Sequence, residues 1–198
     1  MSVLRRLTWS DLDAVARRAL LDRDIDRSVS PPLREQIAAL VLDVRERGDA
    51  AVCDALSRFD RVDVTPDRLR VSEDERERAR GDVADHVRVA IRDMVDHIRR
   101  FNEAQRERLG DWSFESEPGL VVGEKVTPIA SAGLFCPSGK ASYPSVLAQL
   151  GGPAVVARVP EIRVVVPPKP GANGAVDSVV LAVADELGLA DVYRANGP

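Results

Sequence analysis

The spacing of apolar residues changes character near residue 118. Upstream, apolar positions recur at helical intervals between runs of charge. Leu33, Ile37, Leu40, Val41 and Val44 trace one face of a helix that opens after Ser30–Pro31–Pro32 and stops at Gly48. Asp49 can cap a following helix through Ala55 and Leu56, and Thr8 or Ser10 can cap a short one near the N-terminus. Val62 to Val71 reads as extended, interrupted by Pro66. A single long helix is expected over roughly residues 73 to 108, with Val83, Val87, Ile91, Met94, Val95, Ile98 and Phe101 as its buried stripe.

Downstream the period shortens. Leu120–Val122 and Lys125–Thr127 read as two strands about a turn at Gly123. Ser131–Phe135 is a short strand running into a Pro/Gly loop. A helix over residues 144 to 159 follows, awkward only at Gly151–Gly152–Pro153. Glu161–Val166, a β-branched apolar run, fits a buried parallel strand. A Pro/Gly loop, a helix from Val176 to Leu187 ended by Gly188, and a strand at Val192–Tyr193 complete the order. Strand–helix–strand–helix–strand implies a parallel α/β unit with right-handed crossovers. The division is thus residues 1–118, a helical region leading into the first α/β layer, and 119–198, a partial Rossmann-like sheet. The last strand of so small a sheet is expected to leave an edge or an apolar face uncovered.

Composition narrows the function classes. The chain has 198 residues, is 44% hydrophobic and carries a formal charge of −4, enough apolar matter for a core and no basic surface for nucleic acid. Most arginines alternate with acids, as in Arg76–Glu77–Arg78, the pattern of a solvated helix face. Apolar runs are too short for a membrane span, and no apolar stretch follows the basic N-terminus as a secretory signal requires. Two cysteines, Cys53 and Cys136, give no disulfide framework, and a reducing cytoplasm fits them.

Candidate chemistry is sparse. There is no Gly-x-Gly-x-x-Gly and no phosphate-binding Walker loop. His86 and His97 are eleven residues apart, roughly 16 Å along one helix, so they cannot share a metal. Cys136 reads as a small buried thiol more readily than as a nucleophile. The informative stretch is Gly133 to Ser145, a strand, a Pro/Gly turn and a serine-rich helix start. Its backbone N–H groups can face a phosphate, although a capped turn accounts for the residues equally well. Val165–Val166–Pro167–Pro168–Lys169 places a rigid loop at the carboxyl end of a strand, where open α/β sheets bind ligands.

These segments, in order, resemble histidinol dehydrogenases. Gly133 to Ser145 is similar to G-L-Y-x-P-G-G-x-A-x-Y-P-S, and Pro153 to Val159 to P-A-x-x-A-G-V. Gly188 to Tyr193 matches G-V-x-x-x-Y, and Val126 to Leu134 matches V-x-P-I-x-x-A-G-L. Upstream, Arg45 to Ala51 matches R-x-x-G-D-A-A, Phe59–Asp60 matches F-D, and Phe101 to Gln105 is similar to F-H-x-x-Q. The resemblance implies an aldehyde/histidinol dehydrogenase-like α/β fold and NAD-dependent oxidation of an amino alcohol, L-histidinol or an analogue, to the amino acid through the aldehyde. It implies a zinc ion in each site of a homodimer. Carried over residue by residue, it puts Phe135, Pro137, Gly139 and Pro168 against NAD. The family's zinc ligands and acid/base pair lie beyond the matched segments, so catalytic and metal residues are expected outside this chain, which by itself is expected to be inactive.

Several positions depart from the pattern. Phe135 stands where the family has a NAD-contacting tyrosine, Ser138 and Arg158 replace glycines, and Asn102 replaces a histidine. Residues 149–152 differ from the usual M-N-A-x. Two further readings stay open: a non-catalytic paralogue that binds a nucleotide or a partner, and a dehydrogenase of the same family acting on another alcohol.

Overall fold

The computed structural model describes residues 6–21, 30–138, 141–169, 171 and 174–197. The chain forms two units, Met1–Glu46 and Arg47–Pro198.

In the first unit a 3-10 turn, Trp9–Asp11, precedes helix α1 (Ala14–Leu21), and helix α2 (Pro31–Arg47) begins after Ser30. Thr8 makes no side-chain cap; Asp13 does the capping, its Oδ1 accepting from the Ala16 N–H at 2.7 Å. Arg17 folds back to donate to the Trp9 and Ser10 carbonyls, with its guanidinium 5.3 Å from the Trp9 ring centroid. Of the expected α2 stripe, Ile37, Leu40 and Val44 are half-buried, whereas Leu33 and Val41 are exposed.

The second unit opens with helix α3 (Asp49–Ala55), entered through Gly48 at φ 60°, and runs on into one wide π-type turn, Leu56–Asp60. The expected helix over 73–108 is two helices, α4 (Glu73–Asp82) and α5 (Asp85–Arg108). Gly81 and Asp82 are weak helix formers, and Val83 turns extended to bury its side chain. Periodicity missed the break because Val83 is in phase with the stripe. A reciprocal capping box, Ser72 with Glu75, starts α4. Ile91 and Val95 are buried as expected, but Phe101 is exposed.

The hairpin differs from expectation. Strand β1 (Trp112–Glu117) pairs antiparallel with β2 (Leu120–Glu124), and the turn is Pro118–Gly119, with Gly119 at φ 84°. Gly123 is not the turn. It lies inside β2, where a Cβ would fall 2.0 Å from the Trp112 carbonyl oxygen.

Strands β3 (Ser131–Phe135), β4 (Glu161–Val166) and β5 (Val192–Arg194) form a parallel sheet in sequential order. Helices α6 (Pro144–Val156) and α7 (Ser178–Glu186) make the two crossovers. One row of strand side chains, including Leu134, Val164, Val166 and Val192, is buried in a common core with residues of α5, α6 and α7. On the opposite row Gly133, Phe135 and Arg163 are exposed, and Val165 and Tyr193 half-buried. The Gly151–Gly152 pair is explained by packing. Added Cβ atoms there would come within 2.7 Å of Leu187 and 2.3 Å of Ile98, so the glycines let α6 approach both neighbours. The β5 edge is not bare: Leu69–Val71 runs beside it, with Val71 N–H donating to the Val192 carbonyl and Arg194 N–H to that of Leu69, both at 2.8 Å. No helix among the described residues is long and apolar enough to cross a membrane.

Candidate functional site

The carboxyl ends of β3, β4 and β5 lie side by side and deliver three short segments, Phe135–Pro137, Pro167–Lys169 and Ala195–Gly197. Two backbone bonds prolong the sheet there, Cys136 N–H to Val165 O at 2.9 Å and Ala195 N–H to Val166 O at 3.1 Å. Alternation along β3 turns Leu134 and Cys136 into the core and leaves Phe135 on the open face, 43% exposed. The turn after β5 abuts that ring: a Cβ on Gly197 would sit 3.9 Å from Phe135 Cε2.

Pro137 is half-buried beside Phe135, and Ser138 bridges back to Ser142, closing the loop that leads into α6. Gly139 lies outside the described residues. Pro168 is buried just beyond the end of β4. Cys136 is fully buried; burial pushes its thiol up, and Sγ bonds the Tyr143 carbonyl at 3.5 Å. Cys53 packs against the smaller core, its thiol also pushed up, first by burial and then by nearby aspartates. Neither has the depressed pKa of a nucleophile.

Below the loop sits an ion pair that sequence reasoning missed. Lys169 Nζ contacts the Asp177 carboxylate at 2.7 Å, and Asp177 caps α7 by accepting from the Val179 and Val180 N–H groups at 2.9 and 3.2 Å. Burial alone would raise the Asp177 pKa. The Lys169 bond, the facing Ser142 hydroxyl and the Val180 N–H outweigh it and hold the carboxyl below its ordinary 3.8. The Ser142 hydroxyl is itself buried without a well-formed hydrogen bond. The signal for the cap was an aspartate directly before a serine and an apolar run.

His86 and His97 are both exposed on α5, and His97 Nδ1 lies 2.6 Å from the Asp93 carbonyl oxygen of its own helix. Among the described residues no group of three or more His, Cys, Asp or Glu could hold a metal ion. A hollow of about 420 Å³ lies elsewhere: it includes Asn102, Gln105, Pro153 and Arg158, at the far end of α6 from Phe135. Thirteen residues of helix, roughly 20 Å, separate the two ends.

A parallel sheet with an aromatic and a proline loop at its carboxyl edge defines an α/β protein of the open-sheet class. A sequence profile described as histidinol dehydrogenase matches residues 25–198. "Histidinol dehydrogenase homolog 2" of Mesorhizobium japonicum is 38% identical over 189 residues, 95% of this chain and 42% of that protein. The histidinol dehydrogenase of Xanthomonas euvesicatoria pv. vesicatoria is 36% identical over 194 residues, 98% of this chain and 43% of that one. A crystal structure of histidinol dehydrogenase from Elizabethkingia anophelis superposes with a TM-score of 0.77 at 27% identity, over 83% of this chain and 37% of the other. The chain belongs to the histidinol dehydrogenase family, and its fold is the one the resemblance implied. It spans about two-fifths of the length of the curated relatives it matches.

Proposed function

We propose that this chain forms the NAD-binding part of a zinc-dependent dehydrogenase that oxidises an amino alcohol, L-histidinol or an analogue, to the amino acid through the aldehyde. The observation that carries the reading is the Phe135 ring, left 43% exposed where the three parallel strands end. A flat apolar face at that edge suits an aromatic base or nicotinamide ring. In this reading Phe135, Pro137 and Pro168 lie against the cofactor, and Gly139, outside the described residues, belongs to the same motif. NAD, when bound, supplies the hydride acceptor. Phenylalanine in place of the family's tyrosine removes one hydrogen-bond donor toward it.

The described residues hold no group that fits a zinc site. In this reading the zinc ligands, the acid/base pair and the homodimer belong to the longer protein typified by the relatives. One observation favours a second reading, a paralogue that binds nucleotide without catalysis: Phe135 and Ser138 both depart from the cofactor-loop pattern. Calorimetric titration of the 198-residue chain with NAD, paired with an NADH assay on histidinol and zinc, tests the NAD site that the two readings share. Saturable NAD binding without turnover supports the proposal. Absence of binding, or NADH formation by this chain alone, refutes it.

A further inference from the structure

The wide turn after α3 starts in the smaller core, formed by Leu56, Val62, Val64 and Leu69, but its last residues, Phe59 and Asp60, lie outside that core. Leu56, 1% exposed, anchors it, and the Arg61 N–H reaches back to the Leu56 carbonyl. The Val62 N–H shares that acceptor at 3.2 Å. Arg61 sits at φ 57°, the left-handed region that a non-glycine residue enters at a steric penalty. Wide turns and strained residues of this kind gather at functional sites. Here the turn brings Asp60, half-buried, to the carboxyl edge of the sheet.

Asp60 Oδ1 there accepts from Asn196 Nδ2 at 2.7 Å, across 136 residues of sequence. The same amide is used twice, since Asn196 Oδ1 accepts from the Gly197 N–H at 3.0 Å. Gly197 in turn borders the Phe135 ring. One line of contacts therefore runs from the strained turn through a single amide to the ring at the cofactor edge.

We infer that Asp60 is a positioning residue for the NAD site: its carboxylate orients the Asn196 amide, and so sets the turn that walls Phe135. Asp60 itself does not touch the cofactor. The inference rests on the NAD reading above, and its test separates the two. The variants are Asp60→Ala, Asp60→Asn, Asn196→Ala and Asp60→Ala/Asn196→Ala of the 198-residue chain. NAD affinity is read by calorimetry, and exchange of the Gly197 amide by NMR without ligand. One hydrogen bond is about 1 kcal/mol, so Asp60→Ala should weaken NAD about fivefold; Asn196→Ala, which also removes the bond to the Gly197 N–H, should weaken it at least as much, with the double variant no weaker than Asn196→Ala alone. Asp60→Asn keeps an acceptor oxygen and should bind within about twofold of the parent. Gly197 exchange should quicken about fivefold in Asp60→Ala and stay unchanged in Asp60→Asn.

Additive losses in the double variant, or an Asp60→Ala chain that binds NAD like the parent, would overturn the inference. If the parent chain does not bind NAD, the cofactor reading fails by itself. The exchange result then still decides the grip on the turn: quickened exchange in Asp60→Ala upholds it, and unchanged exchange refutes it.

Discussion

Replacing Arg158 with glycine should stabilise the 47–198 unit. Helix α6 ends in a Schellman motif: Val159 N–H donates to the Ala154 carbonyl at 3.1 Å, and Arg158 N–H to that of Val155 at 2.9 Å. The motif needs a left-handed residue at its turn, and Arg158 supplies it at φ 61°. Helix α7 ends the same way, Leu189 N–H to Ala184 at 2.8 Å and Gly188 N–H to Asp185 at 2.9 Å, but with glycine at φ 74°. The left-handed penalty for arginine is roughly 1–2 kcal/mol, and a new glycine returns roughly 0.4–1 kcal/mol to the unfolded chain as entropy. A net gain of about 0.5–1 kcal/mol remains, a rise of roughly 1–4 °C in Tm for a chain of this size. Thermal and urea denaturation followed by circular dichroism measures it. Arg158→Ala controls for the loss of the side chain and should gain little, because alanine carries the same backbone penalty. Gly188→Ala should be destabilised by about 1 kcal/mol. If Arg158→Gly melts at or below the parent, or Arg158→Ala gains as much, the backbone argument is wrong.

Phe135→Tyr should tighten NAD binding about threefold to tenfold in calorimetry if the lost hydroxyl matters, since a hydrogen bond contributes about 0.5–1.5 kcal/mol. Asp185→Ala should destabilise by about 3 kcal/mol in urea titration, because it strips the main partner from Arg76, whose side chain is only 8% exposed and whose Nε donates to Asp185 at 2.8 Å. Burial tends to raise the Glu75 pKa, but bonds from Arg194 and Ser72 prevail and hold it below 4.5. Its contribution to stability is therefore complete above about pH 4.5 and lost as pH falls through the depressed folded value. Denaturation series from pH 7 to 3 should show that loss, and Glu75→Gln should flatten it.

The parallel half of the fold was legible because a strand buried on one face and packed under crossover helices leaves an unbroken apolar run. Glu161–Val166 has the boundaries read from sequence. The hairpin was not, because every residue of β1 and β2 is exposed and burial imposes no alternation on them. Its turn is Pro118–Gly119, and Gly123, inside β2, carries the same local turn signal. The split between α4 and α5 hid behind an apolar residue in helical phase. At the site, local pattern placed Phe135, Pro137 and Pro168 at strand ends. The pairs Asp60–Asn196 and Lys169–Asp177 depend on how distant or looping segments meet, which no local period encodes.

The central claim, that the carboxyl edge of this sheet is a NAD site built around Phe135, is tested most directly by titrating NAD into the parent chain and into Phe135→Ala. The account predicts saturable one-to-one binding by the parent, weakened about tenfold or more by the variant, as loss of an aromatic stacking face requires. Equal affinity in the two proteins, or no binding by the parent, would contradict it.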